Sequence, residues 1–373
     1  MTQNKSSKKK SPAFGALPGF DSEPIWEAIA NRDEQAAIDE MMFLFEEGHP
    51  ISHLASVLLE AGLPVPVKGP DSLLPNSLLA IATSIELAKE LPFEDTVLPF
   101  LQSVSLLINE APVKEEAVEN KSASIKEITT LLTGYRERWL SFATETKQPL
   151  AFHYVSSALK IIETCGIEFV PALEENLLAI FESLPVTEAT NQTNDSIDEA
   201  EFKVAQAIYT LDDETQLDTL IALLFAVDGE RITKEENQTI AHSLKHEIEK
   251  TLHILPLTKQ LPDAQADTES LSLSDLPILI EFGKANAAMK FVRTWIESGG
   301  ESDPLWGVLV RCAARVDAVP QRGMAMLAVA ILERWYRSTA SSKRASFVYA
   351  AASLLVTLPQ NYRIAGRFRE EDE

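Results

Sequence analysis

Apolar residues in this chain recur at helical spacing almost from end to end, and no stretch alternates in the way a half-buried strand must. Between Thr215 and Asp228 they fall at Leu217, Leu220, Ile221, Leu224 and Phe225, one stripe of an amphipathic helix. Leu173, Leu177, Ile180, Phe181 and Leu184 repeat the pattern. The same reading predicts helices over 36–47, 51–61, 76–91, 95–110, 124–145, 150–165, 198–211, 235–255, 276–298, 304–316, 321–338 and 343–358, many opened by Asp, Ser, Asn or Pro and closed by Gly or Pro. The expected class is all-α, built of stacked helical hairpins, either solenoid-like or an irregular bundle.

Polar stretches punctuate this pattern. Residues 1–20 read as a disordered tail with no signal-peptide core behind Lys8-Lys9-Lys10. A helical region over 21–185 is followed by a linker over 186–197, too polar to bury and poor in helix formers. A second helical region follows over 198–369, basic in its last third, and 370–373 form an acidic tail. A faint repeat links the two regions: Ala36-Ala37-Ile38 through Gly48, Pro50-Ile51 and Leu54 parallels Ala287-Ala288-Met289 through Gly299, Pro304-Leu305 and Val308. Each half is a helix, a Gly stop and a Pro-started helix, and such hairpins stack because one pair cannot bury its own apolar face. Two unrelated amphipathic hairpins would look alike in the same way.

The string from Ala28 through Gly62, followed by Ser77 to Leu101, resembles the Ala/Leu-rich helical domain that accompanies Rieske-type iron–sulfur domains in some bacterial proteins. The resemblance spans 25–110, extends to 280–337, and includes Gly48-His49-Pro50. It implies a helical fold. It implies no iron–sulfur centre, because no CxH or CxxH pair is present.

Charge separates the chain into unlike parts. The net charge is −23, yet residues 281–369 hold an excess of Lys and Arg over Asp and Glu. An acidic body repels a phosphate backbone, so nucleic-acid binding is confined, if anywhere, to that last third. There Arg334, Arg337 and Arg344 alternate with Trp335, Tyr336, Phe347 and Tyr349. The cations face either the protein's own acidic surface or an acidic partner. Trp335 follows Ile331 and Leu332, so it packs with them or lines a groove flanked by Arg334 and Arg337 that docks an acidic peptide or helix. The leading functional expectation is an interaction scaffold that is not an enzyme, needs no cofactor, and binds an acidic protein partner through Arg334, Trp335, Arg337 and Arg344.

The alternative is a metal-dependent helical enzyme. On the helix expected over 235–255, His242, His246, Glu249 and His253 line the face opposite the apolar stripe, at spacings 4, 3 and 4. Two neighbours can share a divalent ion, but His242 and Glu249 stand about 10 Å apart along the axis, so another element must complete the shell. His49 and His53, a second i, i+4 pair, are the available donors. No HExxH, GxSxG, GxGxxG or P-loop string exists. Cys165 and Cys312 sit in apolar helical contexts and belong to no CxxC pair, which fits a reducing, cytoplasmic setting. The longest uncharged run, 345–358, is too short to span a bilayer.

Overall fold

A computed structural model describes residues 23–62, 76–89, 91–110, 133–146, 149–183, 197–212, 217–235, 251–257, 259–263, 272–316, 325–339 and 342–358. The tail over 1–20, the linker over 186–196 and the acidic tail lie outside them. The described chain is all-α. Its helices are α1 (Glu23–Ala30), α2 (Glu34–Glu46), α3 (Ile51–Gly62), α4 (Asn76–Ala88), α5 (Leu98–Glu110), α6 (Tyr135–Thr146), α7 (Pro149–Cys165), α8 (Val170–Ser183), α9 (Ile197–Thr210), α10 (Leu217–Glu235), α11 (Asp275–Glu281), α12 (Ala285–Glu297), α13 (Ser302–Ala313), α14 (Ala325–Ser338) and α15 (Ala345–Thr357). Short 3-10 turns at Phe93–Asp95, Ile167–Phe169 and Ser342–Arg344 lead into α5, α8 and α15. The only strand-like pairing among the described residues is an isolated bridge between Leu211 and Leu257.

Two stretches follow one plan. Helix bounds in α1–α3 recur in α11–α13: Glu34 against Ala285, Glu46 against Glu297, Ile51 against Ser302 and Gly62 against Ala313, each pair 251 residues apart. Beyond α3 the separation becomes 248. Leu79-Ala80-Ile81-Ala82 in α4 then matches Leu327-Ala328-Val329-Ala330 in α14, and Ser105-Leu106-Leu107-Ile108 in α5 matches Ser353-Leu354-Leu355-Val356 in α15. The packing partners match as well. Seven close pairs within α1–α5, namely α1–α2, α1–α3, α1–α5, α2–α5, α3–α4, α3–α5 and α4–α5, each have a counterpart within α11–α15, while the slighter α2–α3 approach is not matched between α12 and α13. Buried side chains coincide too: Ile25, Ile29, Ala37, Ile38, Met41, Leu54 and Leu58 correspond to Leu276, Ile280, Ala288, Met289, Val292, Leu305 and Leu309.

The turns explain why the bounds agree. After α2, Gly48 adopts φ +81° and passes His49 N–H to Leu44 C=O at 3.1 Å; after α12, Gly299 adopts φ +80° and passes Gly300 N–H to Trp295 C=O at 2.9 Å. A side chain at either glycine would meet no atom within 4 Å, so the left-handed backbone, not crowding, selects glycine there. This register also corrects the pairing of the two prolines. Pro50 corresponds to Glu301, and Pro304 sits in the first turn of α13, where its missing N–H costs nothing. The helix expected over 276–298 is two helices, because Gly283 at φ +61° ends α11 and starts the α12 turn. Its counterpart is Arg32, a non-glycine residue at φ +57°.

The middle helices join these groups. α7 packs on α4 and on α10, α10 packs on α14, and α9 packs on α15, while α4 also touches α14 directly. Trp139, Tyr154, Trp306 and Trp335 are among the largest fully buried side chains.

Candidate functional site

The tripeptide Glu-Arg-Trp occurs twice, at 137–139 and 333–335. Successive residues on a helix point 100° apart, so the tryptophan of each can face the core while the arginine lies at its edge. At 333–335 the two side chains converge on one carboxylate. Arg334 Nη2 donates to Asp228 Oδ2 at 2.5 Å and Trp335 Nε1 donates to Oδ1 at 3.1 Å. His153 Nδ1 lies 3.2 Å from the same Oδ2. Asp228 has no exposed surface. Burial alone would raise its pKa, but the Arg334 guanidinium and then His153 outweigh it and hold the carboxyl well below the usual range.

Arg334 extends the network outward. Its Nη1 stands 3.6 Å from Glu86 Oε1, and Glu86 also pairs with Lys160. Arg334, Glu86 and Lys160 are each about a third exposed. Glu86 and Arg334 are 248 residues apart, so α4 and α14 meet through the same position of the shared plan. Arg311 on α13 adds a second link, to Asp95 ahead of α5. The other tripeptide makes the same device with Glu174 on α8. Arg138 donates to both of its carboxylate oxygens at 2.7 and 3.3 Å, and Trp139 Nε1 donates at 3.0 Å.

Trp335 is therefore corrected as a contact residue. It is fully buried and its only polar atom is spent on Asp228, so it offers a partner no surface. Arg334 is likewise engaged inward. Arg337 and Arg344 stay at the surface. Arg337 bonds Glu333 one turn back at 2.8 Å and approaches Asp303 at 3.7 Å. Arg344 lies over the Tyr336 ring with Cζ 5.0 Å from its centre, Tyr336 abuts Trp306 edge-on, and the exposed Lys343 covers Phe202 at 4.7 Å.

Of the histidine row, His242, His246 and Glu249 lie outside the described residues, and His253 is exposed. Among the described residues no three His, Cys, Asp or Glu side chains gather around a point that could hold a metal. His49 and His53 do meet: their Nδ1 atoms are 2.8 Å apart, with the rings edge to face. Burial, and then the neighbouring His49, lower the pKa of His53. Burial pushes the thiol of Cys165 up to about 11 and that of Cys312 up to about 12, so neither is a nucleophile near neutrality. A recess lined by Ile208, Leu211, Leu217, Lys259, Ser353 and Thr357 has room for about one water molecule. Among the described residues no helix is long and apolar enough to cross a membrane.

Asp228, His153, Glu86 and Glu174 escape sequence reasoning, since one carboxylate among 56 acidic residues, or a histidine with no other histidine at helical spacing, has no distinguishing pattern. The repeated Glu-Arg-Trp, which helical periodicity passes over, is the signal in the sequence that marks their partners. Comparison with known family models, with curated proteins and with solved structures finds no match for this chain.

Proposed function

We propose that the protein is a helical interaction scaffold that takes an acidic segment of a partner on the corner formed by Arg337, Lys343 and Arg344 around Tyr336. The observation that carries this reading is the division among the C-terminal cations: Arg334 and Arg311 reach buried carboxylates of distant helices, Asp228 and Asp95, whereas Arg337, Lys343 and Arg344 are exposed at one helix corner, where Arg337 meets Glu333 and Asp303 and Lys343 and Arg344 lie over aromatic rings. In a chain of net charge −23, a local cationic corner is where an acidic ligand meets least repulsion. The half-buried Tyr336 ring supplies apolar contact beneath the guanidinium of Arg344. The matching plans of α1–α5 and α11–α15 further support a structural role, being read as two copies of one unit held by middle helices.

Exposed ion pairs are individually weak, so affinity must come from several cations together. A fluorescent poly-glutamate peptide titrated into the full chain tests this. Binding that weakens steeply from low to moderate salt, and is lost in the triple reversal Arg337→Glu/Lys343→Glu/Arg344→Glu while the helical circular dichroism is retained, supports the reading. Binding unchanged by the triple reversal overturns it, as does preference for a single-stranded oligonucleotide over the peptide.

A further inference from the structure

The start of α3 differs between the two matching helix groups in one chemical respect. His49 and His53 correspond to Gly300 and Pro304, while the flanking turn, the glycine at φ near +80° and the buried positions Leu54, Val57 and Leu58 are the same. The local structure therefore forms without imidazoles, and closing the turn does not require the histidines.

Their arrangement brings two imidazole nitrogens to the separation of a chelate. The two Nδ1 atoms face each other at 2.8 Å across one helical turn. In the neutral pair a single proton occupies that gap, one ring donating and the other accepting. A divalent ion replaces that proton once the two rings turn their Nδ1 lone pairs from each other toward a common point. With each nitrogen about 2.1 Å from a shared ion, the observed separation subtends roughly 84° at the metal, the angle between neighbouring positions of an octahedral or tetragonal field rather than a tetrahedral one. His49 is half-buried and opens to solvent, whereas His53 is held in the core. One ligand is thus fixed by packing and the other lies at the entrance. Water supplies the remaining positions, because no third protein ligand joins the pair among the described residues.

We propose that His49 and His53 form a two-histidine site for a borderline divalent transition ion, Cu²⁺ or Ni²⁺ in preference to Zn²⁺, bound through both Nδ1 atoms at the α2–α3 turn. The imidazole pair selects N-preferring ions, and the near-right-angle geometry orders them. This site is independent of the cationic corner and of the histidine row at 242–253.

The test uses the untagged full chain, stripped with chelator and titrated calorimetrically with CuCl₂, NiCl₂ and ZnCl₂ alone. The expected result is one Cu²⁺ or Ni²⁺ per chain, with affinity reduced at least about tenfold by His49→Ala and by His53→Gln, and unchanged in the double variant His242→Ala/His246→Ala. The Cu²⁺ adduct should show nitrogen hyperfine structure in its electron paramagnetic resonance spectrum that both single variants lose. No uptake, uptake indifferent to His49→Ala, or uptake abolished by the 242/246 double variant overturns the proposal. Should His53→Gln disturb the fold, His49→Ala decides, since that side chain lies at the entrance. Poly-glutamate binding is expected to be the same in all these variants, which separates failure here from failure at the cationic corner.

Discussion

The helices α1–α5 and α11–α15 share their order and most of their packing and agree in length to within one residue, yet they close their turns with different chemistry. In the first group the α1–α2 turn forces Arg32 to φ +57° and then secures α2 with Asp33, whose Oδ1 accepts from Ala36 N–H at 3.1 Å. In the second, Gly283 takes φ +61° without strain, and Lys284 at the cap position offers no side-chain acceptor. One turn is strained and capped, the other relaxed and uncapped. The contrast teaches that the shared plan is fixed by buried apolar positions and by the glycines after α2 and α12, while the remaining turn residues vary as long as their effects offset.

The two groups also treat charge differently at an equivalent position. Glu86 on α4 faces Lys160, whereas Arg334 on α14 reaches inward to Asp228. The largest expected effect breaks that inward contact. Asp228→Ala strips the shared acceptor from Arg334 and Trp335 and should cost about 3 kcal/mol or more in urea denaturation. Glu174→Ala, at the more accessible clamp, should cost less. Because the Asp228 pKa is depressed in the folded state, its contribution is complete above the unfolded value of about 4 and is lost as pH falls through the folded value. Asp228→Asn should therefore flatten the acid limb of the stability profile.

The turns come next. Gly283→Ala should destabilise by about 1–2 kcal/mol, whereas Arg32→Gly should be neutral or stabilise by up to about 1 kcal/mol. Equal and opposite tests apply to the caps. Asp33→Ala should cost about 1 kcal/mol, and Lys284→Asp should recover part of that at the other group, both read by thermal melting. The smallest effect concerns pH near neutrality. His53 has a lowered pKa in the folded state, so protonation favours the unfolded chain and stability should fall as pH drops below about 6.5. His53→Gln should remove that slope, and α11–α15, with Pro304 at the equivalent position, should contribute none.

Much of this fold is legible in the sequence because helix periodicity is local. The stripe Leu217, Leu220, Ile221, Leu224 marks the buried face of α10, and Gly48 and Gly299 mark true helix ends. Periodicity does not show that Gly283 breaks the expected 276–298 helix, since apolar spacing runs on through the turn. It also misses α1, whose eight residues are too few to establish a stripe. The register of the two matching groups needed helix bounds, because the prolines at 50 and 304 suggest a different alignment. The site was legible only in part. Arg337 and Arg344 are exposed as a surface reading requires, and Trp335 packs with Ile331 and Leu332 as its spacing allows, but its bond to Asp228, more than a hundred residues away, is one that no local pattern encodes.

The central claim is that adjacent parts of one basic segment serve opposite ends, Arg334 locking helices together and Arg344 facing outward to a partner. Equilibrium urea denaturation of Arg334→Ala beside Arg344→Ala tests it most directly. The account predicts a loss of about 2 kcal/mol or more for Arg334→Ala, which leaves the Asp228 carboxylate buried without its guanidinium, and a change within about 0.5 kcal/mol for Arg344→Ala. Equal losses, or a larger loss at Arg344, would contradict it.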